Sequence, residues 1–189
     1  MIKLAINSYM PSSGKDTCAD YLCENHGFTK YSFSYGIYEI AHKYYGVPEE
    51  QRPKREMLHH IGESLRKIDP LLWINYTLNK IEKEGKDRIL ITDVRKLMEH
   101  AYLKELGWTH FMVYCDPSTA IGRAVERDGN DNVDENLMLD SELENQLRPL
   151  KNTMIVVDNN NSLDNTFCQL DRIVKDEILK EELSIIKKY

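Results

Sequence analysis

The chain has 189 residues, with 25 basic and 31 acidic side chains and a formal charge of −6. That length fits one domain, or one core with a small mobile insertion, and the mixed acidic surface offers no basic face for a nucleic-acid backbone, so the expected partners are small molecules. The opening MIKLAIN turns polar too soon for a signal peptide and no stretch has the apolar length of a membrane span, which predicts a cytoplasmic protein without a membrane partner.

The first apolar run, Ile2 to Ile6, is short and mostly unbroken and leads into a Ser/Pro/Gly loop, as expected of a strand buried on both faces. From Lys15 to about His26, Cys18, Ala19, Leu22 and Cys23 fall on one helical face, and Gly27 supplies a stop. Further strands are predicted at about Thr29 to Phe33, Ile89 to Thr92, Phe111 to Cys115 and Met154 to Val157. Helices are predicted over Tyr35 to Tyr45, Lys54 to Lys67, Leu71 to Glu84, Leu97 to Leu106, Ser118 to Arg127 and Leu163 to Ile186. Strands alternating with helices imply a five-stranded parallel sheet in an α/β fold. Asp128 to Glu135, DGNDNVDE, reads as a mobile polar loop. Cys18, Cys23, Cys115 and Cys168 form no CxxC pair and read as buried reduced thiols, and the adjacent His59 and His60 point to different helical faces, a poor metal pair.

Ser13-Gly14-Lys15-Asp16-Thr17 lies where a strand meets a helix, the context in which backbone N–H groups and a helix N-terminus hold phosphate while the lysine reaches the β and γ oxygens. A solvated turn with a capping Ser or Asp is the plainer alternative. Asp16 stands where a hydroxyl normally meets magnesium; a carboxylate serves a hard cation directly or through water, but also repels phosphate. Tyr9 occupies the place of the loop's opening glycine, so the loop must follow another path or accept strain, and Pro11 helps to fix that path.

Leu90-Ile91-Thr92-Asp93-Val94-Arg95 ends the third strand. In a parallel sheet ligands lie beyond the carboxyl ends of the strands, which aims Asp93 and Arg95 at the crevice of Lys15. The alternative is a helix-capping aspartate followed by a surface arginine. Arg123 and Arg127 are spaced i, i+4 and suit a lid that follows charge onto a transferring phosphoryl group; equally, Glu126 and Asp128 could make them a solvated ion-pair face. Arg55 and Arg66, about three helical turns apart, can share a face toward one anion. Glu63 and Asp69 punctuate the same segment, and Trp73 is either a flat wall for a base or core.

In order and spacing, SGKDT, REMLHHIGESLRKIDPLLW, ITDVRKLMEHAYLKELG and VVDNNNSLDN resemble the deoxynucleoside monophosphate kinases common in phages and prophages, within the wider P-loop nucleoside and nucleotide kinases. The resemblance runs over most of the chain. It implies a three-layer α/β P-loop fold forming one kinase domain, with a substrate-binding helical region at about 35–85 and a mobile lid at about 123–147. It implies ATP and Mg2+ as cofactors, Ser13, Gly14, Lys15, Asp16 and Thr17 on the ATP phosphates, and Asn159, Asn160 and Asn161 beside the adenine. Asp16 and Asp93 would organise the metal. Gly62, Glu63, Arg66 and Arg95 would face the monophosphate acceptor, where the residue pattern alone also places Arg55, Asp69 and Trp73, and Lys15, Asp93, Arg123 and Arg127 would serve the transfer. The chain departs from the family at Tyr9, in its Gly-Glu-x-x-Arg run at Gly62, in Lys96-Leu97 after DVR, and at Asp140, where relatives tend to carry histidine. The expected reaction phosphorylates a nucleoside or deoxynucleoside monophosphate to the diphosphate. Phosphomevalonate and dephospho-coenzyme A kinases use similar loops, and Tyr9 and Asp16 also suit a nucleotide-binding module without turnover. A homodimer is left open.

Overall fold

The structure, a computed structural model, describes residues 1–139 and 146–187. Strands β1 (Ile2–Ser8), β2 (Thr29–Tyr31), β3 (Arg88–Ile91), β4 (Thr109–Tyr114) and β5 (Ile155–Asp158) form a five-stranded sheet in the order β2-β3-β1-β4-β5. Its ladders are parallel: Leu4 lies opposite Leu90 of β3 and Thr109 of β4, and Phe111 opposite Ile155 of β5. Parallel strands are covered on both faces, which is why their sequences run apolar without alternation. In β1, Leu4, Ala5 and Ile6 are all fully buried.

The described contacts group into two compact units, Met1–Lys30 with the chain from Asp87 onward, and Tyr31–Lys86. In the first unit, α1 (Lys15–His26) and the long helix α8 (Leu163–Ile186) cover one face of the sheet. Cys18, Ala19 and Leu22 of α1 and Leu170, Ile173 and Val174 of α8 join Leu4, Ile6, Phe111 and Val113 in one core. Gly27 ends α1 in a left-handed cap at φ +67°, its N–H returned to the Cys23 carbonyl. Helix α5 (Leu97–Glu105) follows β3 and α6 (Pro117–Asp128) follows β4. The latter begins at a proline whose fixed φ suits the first helical position. The second unit holds α2 (Tyr35–Tyr45), α3 (Arg55–Ile68) and α4 (Leu72–Glu84), packed on one another.

The segment read as a mobile polar loop, DGNDNVDE, instead forms a short 3-10 turn at Asn130–Asn132 and leads into α7 (Glu135–Leu139). Two anchors explain the order. Asn132 Nδ2 donates to the Asp128 carbonyl at 2.7 Å, and Val133 packs on a small core of Met10, Cys115, Ala120, Ala124 and Met138. A second 3-10 stretch, Arg148–Thr153, precedes β5. Asp140 lies outside the described residues.

Candidate functional site

β1 is the central strand, with β3 on one side and β4 on the other, so the loop after it opens where the chain's crossovers diverge. Tyr9 continues strand-like alongside β4, its N–H donated to the Val113 carbonyl at 3.1 Å. Its ring meets Tyr114 edge-on at 4.9 Å. Among the described residues Ser12 is the one non-glycine position with positive φ, at +60°. Ser13 N–H closes onto the Met10 carbonyl at 3.3 Å, so Met10-Pro11-Ser12-Ser13 has the pattern of a type II turn, proline second and left-handed backbone third. The loop therefore follows another path than one opened by a glycine. The left-handed turn has moved from Tyr9 to Ser12, where a small side chain tolerates it.

Gly14 caps α1 at φ +93° with no side-chain cap. A Cβ here would lie 2.1 Å from Asn159 Nδ2, so glycine is required by conformation and by space. Asn159, 2 % exposed at the end of β5, donates through Nδ2 to the Ser13 carbonyl at 2.8 Å and accepts from Thr166 Oγ1 at 2.8 Å. Arg123 reaches in from α6 and donates through Nη2 to the Asn159 carbonyl at 2.8 Å. Two buried atoms beside the loop, Ser13 Oγ and Arg123 Nη1, have no hydrogen-bond partner among the described residues. Each such orphan costs about 1 to 3 kcal/mol until something satisfies it. An anion at the head of α1 would do so, which fits the loop to phosphate.

Lys15 Nζ contacts Asp16 Oδ1 at the same helix start, with the Lys15 side chain largely covered and Asp16 exposed. Burial pushes the Asp16 carboxyl up, but the Lys15 ammonium outweighs it, and Lys30 and Arg95 add to the pull, leaving Asp16 below its ordinary value. Asp16 in turn helps to raise Arg127, after the larger effect of Asp128. Lys15, Asp16, Arg95 and Arg127 thus share one electrostatic neighbourhood. Arg127 grips Asp128 with Nε at 2.9 Å and Nη2 at 2.6 Å, the ion pair foreseen as an alternative to a lid role, whereas Arg123 turns inward to Asn159. Asp93 and Arg95 follow β3 and are half-buried. Asn7 Nδ2 of β1 holds their loop at the Val94 carbonyl, and Glu99 Oε2 accepts the Arg95 N–H at 2.9 Å. Thr17 is exposed. Burial raises the Cys18 thiol to about 12, which makes it inert beneath the loop. Among the described residues no group of three or more His, Cys, Asp or Glu could hold a metal alone. Magnesium on substrate phosphates needs one or two carboxylates, which Asp16 and Asp93 are of the type to supply.

Comparison with solved structures finds the same architecture. A gluconokinase from Sinorhizobium meliloti 1021 superposes with a TM-score of 0.52 at 16 % identity, covering 95 % of this chain and 97 % of that one. A shikimate kinase from Acinetobacter baumannii, in complex with shikimate, gives 0.56 at 16 % identity over 97 % and 96 %. A Thermus thermophilus protein gives 0.62 at 16 % identity over 95 % and 97 %. The fold is that of the P-loop kinases. No family model matches the chain. Over 105 residues it is 32 % identical to an uncharacterized protein of Ictalurid herpesvirus 1 (strain Auburn), a match spanning 53 % of this chain and 43 % of that protein. Among the described residues no helix is long and apolar enough to cross a membrane.

Within the P-loop kinase fold, the remaining predicted residues separate. Asn160 braces the loop after β5, accepting the Asp116 N–H at 2.7 Å and donating to Asp158 Oδ1 at 2.7 Å, while Asn161 is exposed. Arg55, Gly62, Glu63, Arg66, Asp69 and Trp73 all belong to the second unit. There Arg66 Nη1 pairs with Glu63 Oε1 at 2.6 Å, Asp69 Oδ1 accepts the Leu71 N–H at 2.9 Å, and Arg55 is exposed at the start of α3. Trp73 is 3 % exposed, donates its indole N–H to the Gly62 carbonyl at 3.1 Å, and lies against Gly36, where a Cβ would come within 2.8 Å of its ring. This is the core position named as the alternative to a base wall.

Sequence reasoning missed Arg148. It donates Nε to the Tyr9 carbonyl at 2.9 Å and Nη1 to the Leu139 carbonyl at 2.6 Å, tying the loop after β1 to the end of α7. Lys151 lies 3.3 Å above the Tyr114 ring. A buried chain of polar groups under the loops was also missed: His100 Nδ1 lies 3.1 Å from His110 Nδ1, itself 3.3 Å from Asn7 Oδ1. No local pattern marks these, because each depends on strands and loops distant in sequence.

Proposed function

We propose that this chain transfers the γ-phosphoryl group of ATP to the phosphate of a nucleoside or deoxynucleoside monophosphate, giving the diphosphate. The observation that carries the reading is the pair of buried, unpartnered atoms, Ser13 Oγ and Arg123 Nη1, beside Lys15 and the left-handed Gly14 at the head of α1. The P-loop kinase architecture and the order of the SGKDT, Gly-Glu-x-x-Arg and DVR motifs support it.

In this reading Ser13, Gly14, Lys15, Asp16 and Thr17 bind the ATP phosphates, and Lys15 with Arg123 and Arg127 follows charge onto the group in transit. Asp16 and Asp93 would hold magnesium, which would supply charge neutralisation to the phosphates. Arg66 and Arg95 are the cations assigned to the acceptor phosphate. That phosphate is already ionised near neutral pH, so the residues need to position and neutralise rather than supply a strong base.

A second reading changes only the acceptor. Fold likeness to a gluconokinase and a shikimate kinase favours a small-molecule hydroxyl in place of a phosphate. One coupled assay with Mg-ATP separates the two, using a panel of ribo- and deoxyribonucleoside monophosphates alongside gluconate, shikimate, phosphomevalonate and dephospho-coenzyme A. Turnover of one or more monophosphates is expected. Turnover confined to a hydroxyl acceptor moves the second reading forward, and ATP binding without turnover of anything supports a nucleotide-binding module.

A further inference from the structure

Asn159 spends every hydrogen-bonding group it has on the protein. Its backbone N–H goes to the Tyr114 carbonyl of β4 at 2.7 Å and its carbonyl accepts Arg123 Nη2 of α6 at 2.8 Å. Its Oδ1 accepts the Thr166 hydroxyl of α8 at 2.8 Å, and its Nδ2 donates to the Ser13 carbonyl at 2.8 Å. These partners fix the orientation of the amide, since a flip would set oxygen against the Ser13 oxygen. A side chain that is 2 % exposed, with both amide atoms engaged by the protein, offers a base almost no accessible surface.

What it controls is the Ser13–Gly14 peptide. In a planar trans peptide the C=O and N–H point in opposite directions. Holding the Ser13 carbonyl on Asn159 therefore turns the Gly14 N–H to the opposite side of the loop. The contact leaves no room for adjustment, because the Asn159 amide occupies the volume that a Cβ on Gly14 would need. Arg123 is held by the same residue with its Nη1 buried, unpartnered and close to Gly14.

We propose that Asn159 is a positioning residue for the phosphates, not a contact for the adenine: it presets the loop peptide and the Arg123 guanidinium that meet the triphosphate. The inference rests on the nucleotide reading above and assigns a role within that site. It predicts that damage at this position is read through phosphate and is blind to the base.

The test measures displacement of a fluorescent ATP analogue from the full chain by ATP and by inorganic tripolyphosphate. It compares wild type with Asn159→Asp, an isostere that replaces the donor facing Ser13 with an acceptor, and with Thr166→Val, which loosens the amide while leaving its donor in place. Asn159→Asp is expected to weaken both competitors tenfold or more with their affinity ratio unchanged, and Thr166→Val to weaken both about threefold. Should Asn159→Asp fail to fold, Thr166→Val alone decides by the same ratio. Equal tripolyphosphate affinity in variant and wild type, with a selective loss of ATP, overturns the inference and returns Asn159 to the base. Wild type that binds neither competitor overturns the nucleotide reading itself.

Discussion

Replacing Gly14 by alanine should be far more damaging than the same change at Gly27, although both residues bound α1 in left-handed backbone. Gly27 has φ +67° and nothing within 4 Å of an added Cβ, so Gly27→Ala costs only the conformational penalty of about 1 to 2 kcal/mol. Gly14 has φ +93° and would set its Cβ 2.1 Å from Asn159 Nδ2. To the same backbone penalty it adds about 1 to 3 kcal/mol of overpacking and about 1 kcal/mol for the displaced bond to the Ser13 carbonyl. The expected loss is about 3 to 6 kcal/mol, against a total stability of about 5 to 15 kcal/mol for a typical domain. Urea unfolding followed by far-ultraviolet circular dichroism measures both variants, and the difference between them isolates the contact with Asn159. Equal losses at Gly14 and Gly27 would refute the argument that the Asn159 amide fills the space beneath the loop.

Acid should destabilise the first unit before any carboxylate is protonated. Burial, with smaller contributions from His100 and Lys104, lowers His110 from 6.5 to about 3, so the folded protein holds it neutral while the unfolded chain takes up a proton. Stability is then complete above about pH 6.5 and falls as the pH drops toward 3, by about 2 kcal/mol between pH 6.5 and 5 for this one group. Urea midpoints across that range should show the slope, and His110→Gln should flatten it. Arg148→Lys should cost about 2 kcal/mol, because an ammonium cannot span the carbonyls of Tyr9 and Leu139 that the guanidinium bridges, and a thermal melt of the variant checks this. Arg123→Met should cost about 1 to 3 kcal/mol of stability through the orphaned Asn159 carbonyl, seen as a lower urea midpoint. Arg127→Met, which removes only a solvent-exposed pair with Asp128, should leave the midpoint unchanged.

The amino-acid sequence by itself determined the five strands, the longer helices and their order, but not α7 or the two 3-10 stretches. The short apolar runs became the strands of a parallel sheet, and the Gly27 stop and the strand-to-helix setting of Gly14-Lys15 were legible because they depend on near neighbours and on the period of burial. Boundaries moved by a residue or two: β1 runs on to Ser8, and α6 starts at Pro117. Only the tertiary structure decided the uses of individual side chains. Arg123 and Arg127 share a helical face and the same spacing argument, yet one turns in to Asn159 and the other closes on Asp128. Trp73 at helical spacing is more often core than a wall for a base, and its burial against a carbonyl on another helix puts it in the core. Tyr9 breaks the phosphate-loop pattern on paper and is harmless in space, since the left-handed turn sits at Ser12 and its ring lies against Tyr114. Local backbone chemistry is written in consecutive residues. The destination of a long polar side chain depends on which distant carbonyl the fold brings within 3 Å, and that is written nowhere in the chain until the sheet has formed.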